Sequence, residues 1–78
     1  MAQIDLESIK YIDKDRNSIH TKVNTTYTVF EEDGQKYFQV DTYGKSGREM
    51  PGKISQSIQF NKESAQFFVD LLKDEFNL

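Results

Sequence analysis

The chain has 78 residues, 36% hydrophobic content, ten aromatics (four Tyr, six Phe) and a formal net charge of −3. That length holds one domain, residues 1–78, and a domain so short buries only about 60% of the surface its unfolded chain exposes, so dimerisation is a common remedy. The lack of cysteine excludes a disulfide scaffold and a thiolate zinc site, and with charges throughout MAQIDLESIKYIDKDR and no run near the ~20 apolar residues of a membrane span, a soluble cytoplasmic protein is expected.

In chain order, residues 3–12 (QIDLESIKYI) place Ile4, Leu6, Ile9 and Ile12 in neither a clean helical nor a clean strand period. They predict a first strand with an irregularity near Ser8. The polar run Asp13-Lys14-Asp15-Arg16-Asn17 predicts a turn. From Ile19 to Glu31 the composition is that of a half-buried strand, rich in Val, Thr, Tyr and Phe. Asp33-Gly34 is a hairpin signal, because glycine accepts the positive φ such turns require. A third alternating strand runs from Gln35 to Tyr43. Residues 44–53, GKSGREMPGK, form a connection that holds three of the four glycines and the single proline. The fourth strand is Ile54 to Phe60. Asn61 is a candidate helix N-cap, Glu63 suits the helix dipole, and a helix from Lys62 to Glu75 carries the stripe Ala65, Phe68, Val69, Leu72 and Phe76, widened by Phe67 and Leu71.

The expected fold class is α+β: a four-stranded antiparallel curved sheet followed by one C-terminal amphipathic helix, ββββα, whose wide apolar arc either completes a generous core or also packs on a second subunit as a helix-mediated homodimer. Alternation sorts the sheet into two faces. One collects Val23, Tyr27, Val29, Phe38, Val40, Ile54, Ile58 and Phe60, and the helix stripe would cover it. The other collects Thr26, Thr28, Phe30, Tyr37, Gln39, Asp41, Tyr43, Ser55, Ser57 and Gln59. This polar face with three aromatics is the candidate binding surface, since single-stranded bases stack on aromatic rings and hydroxyls and amides bond base edges or phosphates.

Charge supports the same region. Residues 1–33 carry a net −3 and residues 61–78 a net −2, whereas residues 34–60 carry +2. Lys36, Lys45, Arg48 and Lys53 fall at the strand ends, where they could follow a phosphate backbone. A solvated antiparallel face without function would show the same alternation.

No catalytic constellation is present, so no enzyme activity and no cofactor are expected. His20, the single histidine, has no cysteine or carboxylate motif beside it. Asp13 and Asp15 lack the continuation of an EF-hand loop. Gly44-Lys45-Ser46-Gly47 lacks the spacing of a phosphate-binding P-loop and leads to a strand rather than a helix.

Over residues 37–76 the order is an aromatic strand, Asp-Thr-Tyr, a Gly-rich basic loop, Met, Pro-Gly-Lys, an Ile-x-x-x-Ile strand and an amphipathic helix. It resembles the C-terminal domain of the transcriptional positive cofactor four, and more closely its small bacterial relatives of the YdbC type. The resemblance implies four antiparallel strands and a helix, dimerisation through the helices, and single-stranded DNA binding across curved sheets in replication, repair or transcription. It implies that Tyr43 stacks on a base, that Arg48 and Lys53 meet phosphates, that Lys36 and Tyr37 add contacts, and that Phe67 and Leu71 face the helix partner. The family often carries tryptophan at or beside the stacking position, and this chain has none.

The leading expectation is therefore a dimeric, largely sequence-neutral single-stranded DNA-binding protein, with RNA also open. Its contacts would be Phe30, Lys36, Tyr37, Gln39, Tyr43, Lys45, Arg48 and Lys53. The rival is a protein-interaction module that docks through Phe67 and Leu71 and has no nucleic-acid role.

Overall fold

The computed structural model describes residues 1–44 and 52–78. Four strands form one mixed sheet, and a single helix follows: β1 (Ala2–Gln3), β2 (Thr25–Glu32), β3 (Gln35–Tyr43), β4 (Ile54–Phe60) and α1 (Lys62–Phe76). The strand order is β1-β4-β3-β2. β2, β3 and β4 are antiparallel neighbours, as the alternation predicts. β1 runs parallel to β4, with Ala2 opposite Ile58 and Gln3 opposite Gln59, so the sheet is not fully antiparallel.

The central strands end where the sequence places them. Asp33 and Gly34 both take positive φ, 54° and 78°, which the tight turn between β2 and β3 requires. The first two strands are shorter than predicted. Asp5 competes for the backbone just after β1: its carboxylate accepts the Glu7 N–H at 3.0 Å and the Ser8 hydroxyl at 2.9 Å. This local turn follows a strand that ends at Gln3, so the strand expected over residues 3–12 is not formed beyond its first residue. β2 begins at Thr25 rather than Ile19 because its partner ends: the Tyr43 N–H donates to the Asn24 carbonyl at 3.1 Å, and β3 goes no further.

α1 is closed at both ends by its own sequence. The Asn61 side chain accepts the Ser64 N–H and the Ser64 hydroxyl accepts the Asn61 N–H, each at 2.9 Å, which forms a capping box around a buried Ser64. Asn77 closes the C-terminus in the left-handed conformation. Asn61→Ala should cost about 1 kcal/mol of stability, read by thermal or urea denaturation, and an unchanged midpoint would deny the cap any weight.

One residue, Asn61, joins β4 to α1, so the helix meets the sheet at the end of β4 and does not lie across it. An aromatic run links the two: Tyr27 stacks on Phe38 at 5.3 Å, Phe38 meets Phe60 at 6.5 Å, and Phe60 meets Phe68 edge-on at 5.4 Å. The helix stripe therefore does not cover the apolar face, contrary to the expectation from alternation. Tyr27 (68% exposed), Val29 (53%), Phe38 and Ile58 stay exposed, as do Phe67, Val69, Leu71, Leu72 and Phe76. Among the described residues no apolar side chain is buried; Asp41, Ser57 and Ser64 are. No described helix is long and apolar enough to cross a membrane.

Candidate nucleic-acid interface

The registers assemble the polar face in cross-strand rows. Thr26, Asp41 and Ser57 form one row; Thr28, Gln39, Gln59 and Gln3 form the next; Phe30 and Tyr37 form the last. Directly opposed residues project to the same face, so the rows follow from pairing alone.

A chain of hydrogen bonds ties the two polar rows together. Gln59 Nε2 donates to Gln39 Oε1 at 2.7 Å, and Gln39 Nε2 donates to Asp41 Oδ1 at 2.8 Å. The Ser57 hydroxyl donates to the same Asp41 oxygen at 2.5 Å. A carboxylate only accepts, so Asp41 fixes the direction of every bond that leads to it. The two donors from Ser57 and Gln39 satisfy a carboxyl group only 5% exposed in an otherwise open sheet.

Aromatic rings stand at the two ends. Phe30 and Tyr37 stack on each other at 5.4 Å beside the hairpin, and the Tyr37 hydroxyl donates to Gln35 at 3.2 Å. Tyr43 reaches back over β2, where its hydroxyl and that of Thr26 share a hydrogen bond at 3.0 Å. Tyr37 and Tyr43 are six residues apart on β3, about 20 Å at the strand rise. The face thus offers two separate aromatic platforms with a fixed polar floor between them.

Of the residues expected to bind, Phe30, Tyr37, Gln39 and Tyr43 share this face. Lys53 is exposed at the start of β4, at the Tyr43 end. Lys36 is not brought onto it: the register sets Lys36 opposite Glu31, in phase with Val29 and Phe38 on the apolar side. Lys45 and Arg48 lie outside the described residues. Ile54 departs from the apolar alternation, because a register shift at Thr42/Tyr43 pairs it with Tyr43. The hairpin end of the face is acidic, with Glu32 and Asp33 beside Phe30 and Tyr37. Among the described residues no group of three or more His, Cys, Asp and Glu could hold a metal ion.

Comparison of the chain with protein-family models, curated proteins and solved structures finds no match in any of the three. Sequence reasoning missed Gln3, because nothing local indicates that β1 joins the far edge beside β4. It placed Gln59 and Ser57 on the correct face without assigning them a role. The recurrence of Gln at 35, 39 and 59 on in-phase positions was the available signal.

Proposed function

We propose that the protein is a homodimeric single-stranded nucleic-acid-binding protein, with DNA favoured and RNA also accepted, and with contacts largely neutral to sequence. The observation that carries this is the polar face: aromatic platforms at both ends of a floor of fixed amides and hydroxyls, with no cover from the helix. Bases stack on Tyr43 and on the Phe30–Tyr37 pair, each stack contributing about 1–3 kcal/mol, and amides meet base edges between them. Lys53 supplies a phosphate contact at the Tyr43 end, and Lys45 and Arg48, outside the described residues, are proposed from the sequence to add others; Lys36 reaches the strand only from around the hairpin. Duplex binds weakly, because its bases are not free to stack. The sequence resemblance to positive cofactor four agrees with this reading and with a role in transcription, replication or repair.

The homodimer rests on a different observation, the exposure of Tyr27, Val29, Phe38 and Ile58 on the second sheet face and of Phe67, Val69, Leu71, Leu72 and Phe76 along α1. Among the described residues no apolar side chain is buried, so a single chain has little apolar burial to offset its conformational entropy. A second copy is the partner present wherever the chain is, and its matching apolar faces would supply the missing burial. This extends the expected interface from Phe67 and Leu71 to Tyr27, Val29 and Phe38. The same exposed helix arc favours the rival, an interaction module for a different protein; a monomer in solution would support it.

Fluorescence anisotropy with a labelled ~20-nucleotide single strand and the matching duplex, each at low and moderate salt, tests the binding. Tight, salt-sensitive binding to the single strand alone is expected, and no binding to either strand at low salt would end the proposal. Lys53→Ala should lower the slope of log affinity against log salt by about 0.7, the share of one phosphate contact on a single strand. An unchanged slope would move the phosphate path away from β4.

A further inference from the structure

The hairpin end of the polar face contains a cleft lined by Gln3, Phe30, Glu32, Asp33, Tyr37 and Gln59. Its composition differs from that of a phosphate site. One wall is aromatic, the Tyr37 ring backed by Phe30 at 5.4 Å. Two amides, Gln3 and Gln59, lie side by side in register across β1 and β4. Two carboxylates, Glu32 and Asp33, stand at its edge and oppose a phosphate there. An aromatic wall with a polar edge suits a flat heterocycle, and the acidic lining turns a phosphodiester away.

The amide of Gln59 is not free to choose its orientation. Its Nε2 donates to Gln39 Oε1, because the Gln39 Nε2 is committed to Asp41. Gln59 Oε1 is left as an acceptor, with one further N–H on Nε2. The Tyr37 hydroxyl hydrogen is committed to Gln35. The acceptor oxygens of Gln3, Gln59, Glu32 and Asp33 therefore outnumber the remaining donors, the two Gln3 amide N–H groups and one on Gln59.

We infer that this cleft is a nucleobase subsite that prefers bases bearing an exocyclic amino group, with Gln59 as the residue that reads the base edge and Asp41 as a positioning residue that acts through Gln39. The inference rests on the single-strand reading above and deepens it. A cytosine on Tyr37 directs its amino group at the acceptors, whereas uracil presents a carbonyl oxygen to them and is opposed. Adenine meets the same requirement with its amino group and adjacent ring nitrogen, the pattern that a glutamine side chain matches. The preference is modest, since Tyr43 and the basic end bind every base alike.

Cytosine and uracil share a ring size, so comparing them removes the stacking difference between purines and pyrimidines. Anisotropy titrations of the full chain with labelled ~20-nucleotide oligo-dC and oligo-dU, above neutral pH, should give about 5- to 10-fold tighter binding to oligo-dC. Gln59→Leu should bring the ratio close to one while both strands still bind. Glu32→Gln/Asp33→Asn, at two exposed positions, should lower the ratio and strengthen binding to both strands at low salt. Equal affinities for the two strands in the wild-type chain would overturn the subsite and leave the single-strand reading standing. Binding to neither strand would remove that reading itself. A ratio that survives both variants would also overturn the assignment.

Discussion

Phe38→Asp is expected to abolish assembly and, with it, folding. Phe38 sits mid-sheet in the aromatic run from Tyr27 through Phe60 to Phe68, yet it is 39% exposed in the single chain. If a second copy covers this face, the new carboxylate is buried without a partner, at a cost of several kcal/mol, which is comparable to the whole stability of a small domain. If water covers it, the substitution loses only two ring contacts of about 0.5–1.5 kcal/mol each, and the chain stays folded. Size-exclusion chromatography with light scattering, together with thermal melts over a range of protein concentrations, separates the two cases. The wild-type chain should elute as a dimer with a midpoint that rises with concentration. A wild-type monomer with a concentration-independent midpoint would refute the dimer, and the apolar face would then need a different occupant.

The second large effect is on binding. Tyr43→Ala should weaken single-strand affinity by about 1–3 kcal/mol, roughly 5- to 150-fold, the range for removal of one stacking ring. Tyr43→Phe keeps the ring and loses only the hydrogen bond to Thr26, so it should recover most of the loss, to within about 1 kcal/mol of the wild type. Anisotropy on the three proteins reads both steps. If alanine and phenylalanine weaken binding equally, the hydroxyl rather than the ring makes the contact. If neither does, the strand passes elsewhere.

These two substitutions fall on opposite faces of β3, one residue class apart by parity. Even positions such as Phe38 and Val40 lie on the apolar face, and odd positions such as Tyr37, Gln39, Asp41 and Tyr43 on the polar face, so the two substitutions test the proposed assembly and the proposed binding separately. Pairing also shows why polar residues are the buried ones in the single chain. Asp41 and Ser57 are shielded by neighbours across short strand-to-strand distances, whereas the apolar side chains await a layer that the chain does not itself provide.

Local chemistry by itself determined much of this molecule. Period-two alternation placed β3 and β4 at their observed ends, Asp33-Gly34 placed the hairpin, and Asn61 began the helix, because each depends on interactions within a few residues. The polar face was legible for the same reason, since side-chain parity along a strand needs no knowledge of its neighbours. Tertiary structure decided what depends on partners distant in sequence. Pairing of β1 with the far edge brought Gln3 to Gln59, and the end of β3 cut β2 short at Thr25. The shift at Thr42/Tyr43 took Ile54 out of the apolar row. The register also set Lys36 opposite Glu31, away from the aromatic platforms. The helix that follows Asn61 meets only the end of β4, and much of its apolar arc and of the sheet's apolar face is exposed together. Hydrophobic periodicity reports that a face must be covered; only the path of the chain in space decides what is left to cover it.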